Sequence, residues 1–429
     1  MIVEVLTSFL AAGILGSSFI YQQGGGGNDH KKIETIAANS GLISKDKKSI
    51  RIHRRTKQKG YTEYVYQMPQ GLSEKDFKDK LHRFQDGLNI KRTVLDITMD
   101  DIKGLKLNKT LPEQIQDLLK KKRELKKEVE ISFDGMLIFR VYDEPLTTEW
   151  FFNEKLAKKC KGWNVPVGLS RKGLIFHDFE KKSHIIVAGT TDFGKSNWVN
   201  CTINTLLYTH PEDVSFTLID LKGGLEFNRY RHLKQVKAYA SNVEEAQEAL
   251  TLAVEEMDRV TEHLLEKGYS NVKEAGFKGR HFIVIDEAAD MADDAKCQEL
   301  LKDIARKGRA SGLRLIYTTQ YPTAETISSQ VKRNCIGRLC FVLDTSTASN
   351  VVLDQSGAEN LPLIQGRALY KDVKLIEVQA PYITSDEINK FIKPHINIRP
   401  RRDSNEETGT EGKPGGKHSL VIKETPLSN

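Results

Sequence analysis

Cysteine is scarce and unpatterned in this chain. Cys160, Cys201, Cys297, Cys335 and Cys340 form no CxxC pair and have no histidine at metal-ligand spacing. An odd set of five in 429 residues excludes a disulfide-stapled scaffold and reads as free thiols in a reducing compartment. Neither sign of charge dominates. Lys and Arg number 65 and Asp and Glu 58, a formal +7 that permits a nucleic-acid or anionic-lipid partner without requiring one. Long apolar runs are also missing, with one exception near the amino terminus, which excludes a polytopic transporter. An apolar fraction of 39% over this length excludes a disordered polymer and supplies core for two or three domains.

The exception is the uncharged 17-residue run from Val5 to Tyr21, VLTSFLAAGILGSSFIY. As a helix it spans about 25 Å, slightly short of a bilayer core of about 30 Å. No basic residue precedes it, which disfavours a cleaved signal peptide. A glycine joint, Gly24 to Gly27, follows. Between Lys45 and Lys59 there are eight Lys or Arg residues against one Asp. This asymmetry predicts a single-pass cell-membrane anchor over residues 1–23, with the rest of the chain in the cytoplasm.

Residues 24–44 read as a flexible linker and residues 45–150 as a small α/β domain. Within it, SIRIHRRTKQKGYTEYVY predicts a hairpin about Lys59-Gly60, and Glu130 to Val141 a second one about Asp134-Gly135. Ser73 with Asp76 predicts a helix cap before Phe77, Leu81, Phe84 and Leu88. The basic run Lys120 to Lys127 reads as a solvated helix face, with a DNA-facing patch as the alternative. From residue 151 to 399 apolar strands at 184–188, 215–220, 281–286 and 313–318 alternate with helices at 195–209 and 243–265. That order predicts one large α/β domain with a largely parallel, helix-covered sheet. Residues 400–429 are polar and glycine-rich and read as a disordered tail.

Two motifs carry chemistry. Gly189-Thr190-Thr191-Asp192-Phe193-Gly194-Lys195-Ser196 fits GxxxxGK[ST] between a strand, IIVA, and a helix. Such a loop turns its N–H groups toward phosphate oxygens, Lys195 bridges the terminal phosphates, and Ser196 ligates Mg²⁺. In HFIVIDE a strand ends in Asp286 and Glu287. Asp286 suits the Mg²⁺ shell and Glu287 the orientation or deprotonation of a water. A third strand end, Thr318-Thr319-Gln320, offers Gln320 as a sensor of the terminal phosphate.

These motifs, with PEDVSFTLIDLKGG, FIVIDEAADM, IARKGRASGLRLIYTTQYP and VVLDQSGAENLPLIQGRALY, resemble the FtsK/SpoIIIE-type DNA translocases over about residues 165–392. The resemblance implies a RecA-like P-loop ATPase motor that uses ATP and Mg²⁺, forms a hexameric ring and moves along DNA through sequence-independent backbone contacts. It maps Lys195, Ser196, Asp286, Glu287 and Gln320 onto nucleotide and sensor positions, with Asp220 and Lys222 in the second-strand motif. An arginine reaching into the neighbouring subunit's site is expected. Arg338 is the first candidate and Arg309 the second. Arg306, Lys307, Arg309 and Arg314 are placed toward the pore or the junction.

Three departures matter. Ser349-Asn350 stands where the family carries Ser-Arg. Asp192-Phe193 replaces Gly-Ser and puts a carboxylate beside the phosphates. No module for reading DNA orientation is visible after the motor. The last points to the short coupling proteins of conjugative elements, which bring relaxase-bound DNA to a membrane secretion channel. Chromosome or plasmid segregation is the alternative, ahead of protein secretion and of a DNA-binding scaffold without turnover. The family suggests duplex DNA, whereas a relaxase route delivers a single strand.

Overall fold

A computed structural model describes residues 29–89, 92–95, 114, 116, 122–125 and 127–396. The expected anchor at 1–23 and the tail at 400–429 lie outside the described residues, as do Lys120, Lys121 and Lys126 of the basic run; Lys122–Leu125 of that run form a strand, not the helix face that the run of charges suggests. Among the described residues no helix is long and apolar enough to cross a membrane. The chain divides into two compact units at Leu146 and Thr147.

The first unit opens with α1 (Asp29–Asn39), in a stretch that the polar composition assigns to a linker. Ile33, Ile36 and Ala37 share one face of it, and Ile33 and Ala37 are fully buried. That packing overrides the weak local signal. β1 (Arg51–Gln58) and β2 (Tyr61–Gln67) form the expected hairpin about Lys59-Gly60. Ser73 and Asp76 make the capping box of α2 (Glu74–Lys78), but the helix stops there and restarts as α3 (Leu81–Leu88). β3 (Arg92–Leu95) pairs antiparallel with β4 (Lys122–Leu125). β5 (Glu128–Asp134) and β6 (Met136–Tyr142) complete an antiparallel sheet of order β1-β2-β6-β5. One face of it is covered: Phe139 packs its ring 4.9 Å from Phe84 and 5.6 Å from Tyr66.

The second unit begins with a single helical turn, α4 (Glu154–Ala157), and the antiparallel pair β7 (Asn164–Ser170) and β8 (Gly173–Asp178). β9 (Ile185–Ala188), α5 (Lys195–Thr209), β10 (Val214–Ile219), β11 (Val236–Ala240) and α6 (Val243–Lys267) follow. Then come β12 (Arg280–Ile285), α7 (Ala295–Ser311), β13 (Leu313–Thr319), α8 (Ser329–Asn334), β14 (Gly337–Phe341) and α9 (Ser346–Leu353). β15 (Arg367–Lys371), β16 (Leu375–Gln379) and α10 (Ser385–Ile392) end it. The ten strands form one mixed sheet of order β11-β10-β12-β13-β9-β14-β15-β16-β7-β8. It is parallel from β11 to β14 and antiparallel beyond.

Period-two alternation explains why the parallel strands are apolar throughout. Ile185, Val187, Phe282 and Val284 face the core shared with Trp198, Val199 and Leu206 of α5. Ile186, Ala188, Ile283 and Ile285 face the opposite core, with Ala249 and Leu250 of α6 and Leu301 and Ile304 of α7. Both faces are sealed by helices, so neither set of side chains is solvent-facing. Asn242 caps α6 through the Glu245 N–H at 2.9 Å, and Asp294 caps α7 through the Cys297 N–H at 2.7 Å.

Three histidines lie inside this unit. Burial pushes His177, His184 and His281 each down to about 3. Their neutral forms therefore contribute stability that is fully present above the unfolded value near 6.5 and declines as pH falls toward 3. Glu180 behaves differently. Burial raises its pKa, but bonds from Arg280 and Arg314, both at 2.8 Å, outweigh that and hold it at about 2. The stability contributed by Glu180 persists down to its unfolded value near 4.5, so Glu180 adds nothing to the change from pH 6.5 to 5, where the histidines act. Melting temperature is expected to fall steadily across that interval. A flat profile would contradict the buried-neutral assignment.

Candidate nucleotide site

Every motif residue emerges at the carboxyl end of a parallel strand, on one edge of the sheet, where crevices in open α/β sheets form. The loop Gly189 to Gly194 joins β9 to α5, Asp220 follows β10, Asp286 follows β12, and Gln320 follows β13. Strand order sets their neighbours. β13 stands between β12 and β9, so Gln320 is inserted between the acidic pair and the loop.

The loop is built by close backbone approach. A Cβ on Gly189 would lie 2.6 Å from the Phe341 Cβ, and one on Gly194 would lie 3.2 Å from Gly366. Gly194 also has φ of +112°, a conformation that side chains disfavour. The loop is tied down from outside. The Thr190 N–H reaches the Val342 carbonyl at 3.0 Å, and the Gly366 N–H reaches the Phe193 carbonyl at 2.9 Å. Asp192 is exposed and takes a positive φ of 66°. Phe193 packs on the core of the α5 face.

Lys195 is 3% exposed. Its Nζ lies 3.1 Å from the Asp286 carbonyl and 3.4 Å from Asp286 Oδ1, and so rests on the acid of the other motif. Glu287, also buried, accepts the Gln320 N–H at 3.1 Å on each carboxylate oxygen and pairs with Lys222 Nζ at 3.2 Å. The Gln320 side-chain oxygen accepts the Thr191 hydroxyl at 3.1 Å. One residue thus touches the loop through its side chain and the acid through its backbone. The Thr318 hydroxyl bonds the Ile285 carbonyl at 2.8 Å and also the Asp286 carbonyl, which fixes where the acidic strand ends.

Ser196 sits in the first turn of α5, partly exposed. Among the described residues no cluster of three His, Cys, Asp or Glu side chains could hold a metal ion alone. Mg²⁺ needs no such cluster: one hydroxyl and one carboxylate, with water and phosphate oxygens, suit its hard octahedral shell. Ser196 and Asp286 are donors of that kind.

The expected arginines fall elsewhere. Arg338 is buried on β14, and its guanidinium is spent inside its own chain: on Asp354, on the Lys332 carbonyl at 3.0 Å and on the Val352 carbonyl at 3.1 Å. It is not free to reach a neighbour. Arg314 is buried on Glu180, not turned to a pore or junction. Arg306 and Lys307 pair with Asp303 on the surface of α7, and Arg309 is exposed in its last turn.

Two acids escaped the sequence reading. Burial, then the negative charges of Asp286 and Asp220, raises the pKa of Glu226. Burial, then Glu287, raises that of Asp290. Glu226 lies two residues past the LKGG segment, and nothing in its spacing marks it.

Residues 161–281 match the FtsK/SpoIIIE family model. The chain is 33% identical over 254 residues to the DNA translocase FtsK of Leptospira interrogans serogroup Icterohaemorrhagiae serovar copenhageni, covering 54% of this chain and 27% of the relative. It is 34% identical over 247 residues to DNA translocase FtsK of Helicobacter pylori strain J99, covering 53% and 29%. It thus spans little more than a quarter of these relatives' length. The monomer form of the pCW3 conjugation coupling protein TcpA with ATPγS shares the fold. Its TM-score is 0.57 at 23% identity, over 86% of this chain and 99% of that one. EssC (ATPases 2 and 3) from Geobacillus thermodenitrificans gives 0.52 at 17% identity, over 58% and 51%.

Proposed function

We propose that this chain, whose residues 161–281 match the FtsK/SpoIIIE family model, is an ATP-driven DNA translocase that acts as a coupling protein in conjugation. The observation that carries the ATPase reading is Gln320, bonded to Thr191 of the phosphate loop and to Glu287 of the acidic pair. Phosphate occupancy at the loop and water activation at the acid are thereby read by one residue. In this reading Lys195 leaves Asp286 for the terminal phosphates of ATP. Ser196 and Asp286 would hold Mg²⁺, which would offset phosphate charge. Glu287 orients and deprotonates the attacking water.

The DNA-translocase reading draws on the FtsK relatives, and the coupling role on the fold shared with TcpA over 86% of this chain. Relaxase and secretion-channel partners, a hexameric ring and an anchor at residues 5–21 belong to the same proposal. With Arg338 spent inside its own chain, Arg309 is the remaining candidate for the arginine acting in trans. The segregation alternative rests on the motor relatives alone. A mating assay tests the proposal. Lys195→Ala is expected to abolish both DNA-stimulated ATP hydrolysis and transfer. Unchanged transfer by that variant would sink the coupling role, and unchanged hydrolysis would sink the ATPase.

A further inference from the structure

Lys222 has no place in the phosphate loop, the acidic pair or the sensor, yet its ammonium rests on a buried carboxylate. We propose that Lys222 is a positioning residue for Glu287, holding one carboxylate oxygen so that the other faces water. The inference rests on the ATPase reading above.

The fold brings the two residues together. β10 and β12 are adjacent and parallel, with Ile219 paired to Ile285. The turn after β10 therefore stands beside Asp286 and Glu287. That turn is held at both ends by Asp220, which is fully buried. Asp220 Oδ2 accepts the Phe227 N–H at 3.0 Å, and its carbonyl accepts the Gly224 N–H at 3.2 Å. Tyr239 adds a third tie, donating its hydroxyl to the Gly224 carbonyl at 2.7 Å. Gly224 has φ of +78°, and a Cβ there would meet the Tyr239 hydroxyl oxygen at 2.5 Å. The backbone on either side of Lys222 is thus anchored, and its side chain reaches across to Glu287.

The chemistry explains why Glu287 needs a second donor. A carboxylate's terminal torsion is broad and two-fold. The Gln320 N–H is shared equally, 3.1 Å from each oxygen, and so does not distinguish one oxygen from the other. Lys222 breaks the symmetry by binding Oε2 at 3.2 Å. Of roughly four lone-pair directions on the carboxylate, the one left open is then on Oε1. The two lysines of the site are sorted to the two acids: Lys195 to Asp286, Lys222 to Glu287. Lys222 keeps 35% of its side chain exposed, whereas Lys195 is enclosed, so its removal opens no cavity in the core.

The test is steady-state ATP hydrolysis by the full chain with duplex DNA, alongside equilibrium binding of ATP. Lys222→Met is expected to lower kcat by about 10- to 100-fold, with KM and ATP affinity within about twofold of wild type. Lys222→Arg restores a donor to Oε2 and is expected to recover most of the loss. A KM that rises while kcat holds would show that Lys222 touches nucleotide directly and overturns the proposal. Equal losses in Lys222→Met and Lys222→Arg with lowered melting temperatures would mark a structural role and overturn it too. Wild-type turnover with unchanged kcat in Lys222→Met overturns the proposal alone. Absence of turnover in the wild-type chain overturns the ATPase reading and this inference with it.

Discussion

Glu287→Gln is expected to bind ATP as the wild type does and to lose turnover by about 10²-fold or more. The substitution is isosteric, so the Gln320 N–H keeps an acceptor in the amide oxygen. The negative charge goes, and with it the capacity to take a proton from water. The phosphate loop is untouched, because Lys195 rests on Asp286 and not on Glu287. Lys222 loses its counter-ion but keeps access to solvent. Binding and single-turnover measurements on the same preparation separate the two properties. Hydrolysis at the wild-type rate would remove Glu287 from its role. Weakened binding with normal turnover at saturation would place it against the nucleotide instead.

Arg338→Ala is expected to act on stability. The guanidinium donates to three carbonyls and a carboxylate in a buried setting, and truncation removes those donors. A loss of about 2–4 kcal/mol is expected for a site of this kind. Asp354 softens the blow, because Lys332 and Lys371 also reach it, at 2.8 and 2.7 Å. Asp354 itself caps α9 in the left-handed region, at φ of 58°, and those three cations outweigh its burial and hold its pKa well below the usual carboxylate range. Thermal or denaturant unfolding measures the effect. A trans-acting arginine would give the opposite pattern, normal stability with lost turnover, and that result would restore Arg338 to the neighbour's site.

Legibility differed by feature. The Ser73 capping box, the turns about Lys59-Gly60 and Asp134-Gly135, and α5 over Lys195–Thr209 were readable because caps, turns and helical period are written in a few consecutive residues. The helix α1 was not, since its polar composition hides three apolar residues that count only once a sheet lies beneath them. The last parallel strand, β14, and the antiparallel part of the large sheet, β15 and β16 with β7 and β8, were missed for a related reason. Two of these strands carry charges, Arg338 and Arg367, whose partners Asp354 and Glu377 lie outside the same strand, so they do not read as apolar runs.

The candidate site divides along the same line. The glycine-rich loop, the acidic strand end and the polar strand end were legible along the chain, because each is a short run whose residue types answer a local demand: glycine for close approach, an acid after an apolar strand, a helix starting at Lys195. Which of them meet is set by the fold. Strand order put Gln320 between the loop and Glu287 and set Lys222 beside Glu287, and it buried Arg338 against Asp354. Those pairings join residues 16 to 129 positions apart, and they are chosen by which strands become neighbours, a quantity that spacing along one chain does not contain.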